Sequence, residues 1–205
     1  MPNVREHYLT RERTHATLWQ LFETGRIEEY VNLALGITDP AGNYSAAEHG
    51  LGPRILNENT HQEVFDLATD IQACPSTHHL PDLINRHRLP YLKISVGSEI
   101  AMMLRPNVHW VGNVRTIWSH LLIKHGGKRS KANQEFKLYK DGERNSEMEY
   151  QIWRDIYLAI EPNILMVGRL ASEAAAVQDI EPGTLRFMWP DAVASFLYDK
   201  FANSR

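Results

Sequence analysis

Apolar residues recur at intervals of three and four along most of this chain, and those intervals predict a succession of helices. The first runs from about Thr14 to Leu35. Leu18, Trp19, Leu21, Phe22, Tyr30, Val31 and Leu35 share a face there, and Gly36 stands at the C-terminal cap position. From Ile37 to Asn59 the pattern lapses, and Pro40, Gly42, Gly50, Gly52 and Pro53 predict a long loop, functional or mobile. Thr60 and Glu63 then have the spacing of a capping box. They open a helix whose inward face is Val64, Phe65, Leu67, Ala68 and Ile71, ending before Pro75.

Pro81 begins another short helix, reaching about Arg88. Tyr91 to Val96 alternates as a short strand would, while Ser95 to Leu104 reads equally well as helix and stops at Pro106. Asn113 is placed to cap a helix bearing Val114, Ile117, Trp118, Leu121 and Leu122, which His125-Gly126-Gly127 ends. Phe136 to Tyr139 precedes Asp141-Gly142, a pair with the composition of a hairpin turn. Ser146 and Glu149 form a second capping box, before a helix that runs through Met148, Ile152, Ile156 and Ile160. Pro162 kinks or restarts it, and the next helix carries the small residues Gly168, Ala171, Ser172, Ala175 and Ala176. The last helix follows Pro190, with Val193, Phe196, Leu197 and Phe201 inward. The expected fold is mostly α: a single compact helical domain over residues 1–205, with at most a small β element in the middle.

Composition adds bounds. At 205 residues, 43% hydrophobic and 23% charged, the chain has the makings of an ordinary globular core. Cys74 is the sole cysteine, which excludes an intrachain disulfide and a cysteine-rich zinc site. No apolar run has the length of a signal peptide or a membrane span, so a cytoplasmic protein without a membrane partner is expected.

Charge changes the picture more. The net charge of -3 conceals a basic middle, Arg86 to Lys140, with eleven bases against Glu99 and Glu135. That span is +9, so the remainder carries -12. Lysine and arginine grip polyanions because each neutralised phosphate releases condensed counterions, and nearby carboxylates oppose the effect. The expected phosphate contacts are Arg105, Arg115, Lys124, Lys128, Arg129, Lys131, Lys137 and Lys140. Asn107, His109, Trp110 and Asn113 are candidates for touching bases.

Several patterns bear on catalysis or metal binding. Glu12-x-x-His15 and Glu58-x-x-His61 have the spacing of paired metal ligands on a helix, but both fall at helix starts rather than deep within long helices. His78, His79, Asp82 and His87 match no established metal spacing, and Pro81 interrupts them. Gly126-Gly127-Lys128-Arg129-Ser130 lacks the upstream glycine and the Lys-Ser adjacency of a phosphate loop. No metal or cofactor is expected.

Arg115-Thr116-Ile117-Trp118-Ser119-His120 fits an arginine-x4-6-histidine pattern and resembles the motif of the HEPN ribonucleases over those six residues. The resemblance implies a dimer in which Arg115 and His120 would orient and protonate an RNA backbone during cleavage. The leading expectation is instead a non-catalytic nucleic-acid-binding subunit of a larger nucleoprotein assembly. An RNA-guided, CRISPR-type effector complex is an example of such a setting. It would contact DNA or RNA through the basic middle and dock other protein subunits through its acidic flanks. A third reading is a helical protein-interaction or scaffold protein.

Overall fold

The computed structural model describes residues 1–140 and 147–202, with Lys140, Glu147 and Met148 described by backbone only. Among the described residues there are twelve α-helices, two short 3₁₀ turns and no strand. The helices are α1 (Pro2–Glu23), α2 (Ile27–Ala34), α3 (Tyr44–Glu48), α4 (Leu51–Glu58), α5 (His61–Ala73) and α6 (Leu80–His87). They continue as α7 (Ile94–Leu104), α8 (Val114–Lys124), α9 (Arg129–Lys140), α10 (Glu147–Ala159), α11 (Glu161–Val177) and α12 (Met188–Phe201).

Where helices stop, glycine is the cause in three places. Gly25, Gly36 and Gly126 adopt positive φ, and each sits in a Schellman turn. In the first, Gly25 N donates to Phe22 O and Arg26 N to Leu21 O. This turn splits the single helix expected over Thr14–Leu35 into α1 and α2. α1 also begins earlier than expected, because its buried side is Val4, Tyr8, Arg11, Thr14 and Leu18. Arg11 and Thr14 on that side hide the apolar period.

The segment expected to be a loop, 37–59, is largely helical. Asn43 caps α3 by accepting from Ala46 N, while its amide donates to Ala34 O and Val96 O. Helices of five and eight residues are too short to print a readable period. A Cβ at Gly42 would lie 1.8 Å from Leu33 O, so glycine there marks close packing rather than freedom. The expected capping box at Thr60 is present, closed by Glu63, and Asn113 caps α8 as expected, with Thr116 completing a box that the sequence reading did not include. Ile94–Leu104 is helix, so the strand reading of Tyr91–Val96 gives way to it. Phe136–Tyr139 belongs to α9 rather than to a hairpin arm. The expected turn at Asp141-Gly142 and the cap at Ser146 lie outside the described residues. Pro162 occupies the first turn of α11 and restarts the chain as a new helix.

α7 is the axis of the core: every residue from Val96 to Leu104 is buried, among them Glu99. α1, α3, α5 and α6 pack around it, and α12 lies against α1, α8 and α11. No described helix is long and apolar enough to cross a membrane.

Candidate nucleic-acid interface

The eight expected phosphate contacts fall into three settings. Arg105 donates to the carbonyls of Gln72 and Cys74 at the end of α5, where a cation satisfies orphan carbonyls and favours the helix dipole. Arg115 is buried, 7% exposed, and hydrogen-bonded to Glu48 with Asp199 3.9 Å away. Lys124 is exposed but holds Glu135 at 2.6 Å, and that hydrogen bond raises its pKa. These three cations are already engaged.

Lys128, Arg129, Lys131 and Lys137 are different. All four are exposed, and none forms an ion pair among the described residues. The Arg129 guanidinium lies 4.1 Å from the centre of the Phe201 ring, which orients it without neutralising it. α9 buries Ala132 and Phe136 and turns its remaining side to solvent. Its one carboxylate, Glu135, is turned back to Lys124 and His125. The Lys140 side chain lies outside the described residues.

Arg115 and His120 do not converge. Five residues on a helix are about 140° apart at 100° per residue. Arg115 accordingly faces Glu48 of α3 and Asp199 of α12, while His120 faces Asn163 of α11 at 3.1 Å. Burial, followed by the charge of Lys124, lowers the His120 pKa. Each side chain is occupied in holding helices together.

The expected base-touching groups serve the fold as well. Trp110 is buried and donates to Tyr157 O, and Asn113 caps α8. Asn107 accepts from Arg186 N, and the His109 ring meets Thr77 Oγ1 at 2.7 Å. His15 contacts Met103 O at 2.6 Å, Glu12 accepts from Tyr8, and His87 pairs with Asp70 at 2.9 Å. Among the described residues no group of three His, Cys, Asp or Glu could hold a metal ion. Cys74 is buried, its thiol directed at Ser76 O.

By sequence Glu99 is an acid opposing the basic middle; in the fold it is the centre of a buried network. Glu99 accepts from Arg11 at 2.7 Å, from Ser45 Oγ at 2.6 Å, and from the backbone N–H groups of Tyr44 and Ser45 at 3.0 Å. Burial alone would raise its pKa; Arg11 and these hydrogen bonds outweigh it and hold Glu99 below the ordinary value. Asp191 stands 3.6 Å from the other side of Arg11, and burial, reinforced by Glu99, pushes its pKa up to about 6 against the pull of Arg11 and Arg115. Half of the signal was legible: Glu99 is the one charged residue of α7, whereas Arg11 lies on a side of α1 whose apolar period it interrupts.

Among the described residues the fold is all α, and α9 presents an exposed basic face without ion pairs. No protein-family model, curated protein or solved structure matches the chain.

Proposed function

We propose that the protein binds nucleic acid without cutting it, contacting backbone phosphates through Lys128, Arg129, Lys131 and Lys137. One observation carries this reading: four exposed cations on and beside α9 without an ion pair among the described residues, with Glu135 turned away. Unpaired surface cations retain their full charge toward a polyanion, whereas cations already paired must first release a carboxylate. Four phosphate contacts give modest affinity on their own, consistent with a subunit whose neighbours supply further contacts. The acidic flanks, twelve acids against five bases in residues 1–85, suit docking to basic partner subunits.

The test is an electrophoretic shift series on the full chain with single- and double-stranded DNA and RNA. Binding should appear without cleavage, and the triple variant Lys128→Glu/Arg129→Glu/Lys131→Glu should bind more weakly and with a flatter salt dependence. Retained affinity in a folded triple variant would overturn the reading. A bound protein partner that withstands nuclease treatment, together with no nucleic-acid shift, would favour a scaffold role instead.

A further inference from the structure

A second group of cations lies apart from α9, around a pocket of about 540 Å³ between α3, α4, α6, α7, α8 and α10. That volume falls within the range of small-molecule sites. Arg54 of α4 and Arg88 and Lys93 of the turn between α6 and α7 line it. Among the described residues no carboxylate lies within ion-pair distance of any of the three, and Glu149 is the one acid in the lining. The walls are largely apolar, with Ile84, Leu89 and Leu92, and three aromatic rings border them: Tyr91, Trp153 and Tyr150, whose hydroxyl donates to Asp82. The Tyr91 residue is 45% exposed, so its ring is open to contact.

The backbone singles out the same turn. Arg88 and Tyr91 have φ of 52° and 64°, two of three non-glycine residues with positive φ among those described. Arg88 occupies the left-handed position that closes α6, where glycine has no steric cost. Strain of this kind persists where a side chain is needed, and here it holds a cation and an aromatic ring at one pocket rim.

We infer that this pocket binds a nucleoside monophosphate unit, the phosphate met by Arg54, Arg88 and Lys93 and the base stacked beside Tyr91 and Trp153. A bare anion would leave the apolar walls and rings unused, and a neutral ring would leave three cations unmatched. The unit comes either as a free nucleotide or as the phosphorylated end of a strand. The inference does not depend on the α9 interface.

The experiment is calorimetric titration of the whole chain with thymidine monophosphate, thymidine, inorganic phosphate and a short 5′-phosphorylated oligothymidylate. Thymidine and phosphate should each bind about tenfold or more weakly than the monophosphate, since each supplies half of the contacts. Arg54→Ala/Lys93→Ala should weaken the monophosphate by about tenfold or more. Arg88→Gly should raise the melting temperature by relieving the left-handed position while weakening the monophosphate, a divergence that no folding defect produces. The triple reversal on α9 should leave the monophosphate affinity unchanged. Preference for the oligonucleotide over the free monophosphate, with the same sensitivity to Arg54→Ala/Lys93→Ala, identifies a strand end as the source. No binding of either, or binding indifferent to the double variant, overturns the inference. So does loss of monophosphate binding in the α9 reversal.

Discussion

Arg115 and Lys131 belong to one continuous basic run of sequence, yet the fold gives them opposite fates. Arg115 is drawn inward, hydrogen-bonded to Glu48, near Asp199 and over the Tyr44 ring. Lys131 stands on the outer side of α9 with no ion pair. The difference is one of helix phase and of what each helix packs against. α8 lies between α9, α11 and α12, so a cation near its start meets acidic side chains from distant parts of the chain. α9 covers α8 and has solvent behind it. A charge run in sequence is therefore a list of candidates, and packing decides which of them reach the surface.

The sharpest way to break this contrast is to disturb the buried side. Glu99→Ala leaves Arg11, fully buried, without its closest counter-charge. Unfolding in urea should show a loss of about 3–5 kcal/mol, and a loss below about 1 kcal/mol would mean that the network is not structural. Arg115→Ala, which leaves Glu48 and Asp199 unpaired and opens packing under Tyr44, should cost about 2 kcal/mol in the same assay.

Acid should act on the buried side as well. His109 is fully buried, and burial followed by the charge of Arg105 lowers its pKa to about 4. A depressed histidine pKa means that the unfolded chain takes up the proton first. Its contribution is present above about pH 6.5 and is lost as pH falls toward 4. Between pH 7 and pH 5 this amounts to on the order of 2 kcal/mol. His7, similarly lowered to about 4, adds to the loss. Asp191 acts oppositely, since its raised pKa makes acidification from about 6 toward 3.8 relieve a buried charge. His109→Asn, which keeps a donor toward Thr77, should flatten the decline in melting temperature between pH 7 and pH 5; an unchanged decline would exclude His109 as its source. The smallest effect belongs to the exposed side: Lys131→Ala and Lys137→Ala should each alter stability by less than about 0.5 kcal/mol.

Much of the fold was legible wherever a local rule acts alone. The Thr60–Glu63 box, the Asn113 cap and the stops at Gly36 and Gly126 all follow from a few neighbouring residues, and all are present. Gly25 gives no such signal, because apolar residues on both sides of it continue the helical period closely enough to mask the break. The region 37–59 is hidden because its helices are five and eight residues long; Asp39 and Asn43 cap their turns locally, while the bonds from the Asn43 amide to Ala34 O and Val96 O come only with the tertiary fold. The candidate interface was half legible. The sequence shows which cations exist, but the partners of Arg105, Arg115 and Lys124 are set by tertiary packing. Glu99 belonged to the basic span by position and to the core by packing, a distinction that charge counting does not make.

The most direct test of the divided charge run is the salt dependence of nucleic-acid binding, measured in parallel for the native chain, Arg115→Ala and the α9 triple reversal. The account expects a log–log slope of about -3 to -4 for the native chain on duplex, preserved in Arg115→Ala and reduced in magnitude by about 2–3 in the triple reversal. A slope that survives the reversal, or one that falls when only Arg115 is removed, would place the phosphate contacts elsewhere and contradict it.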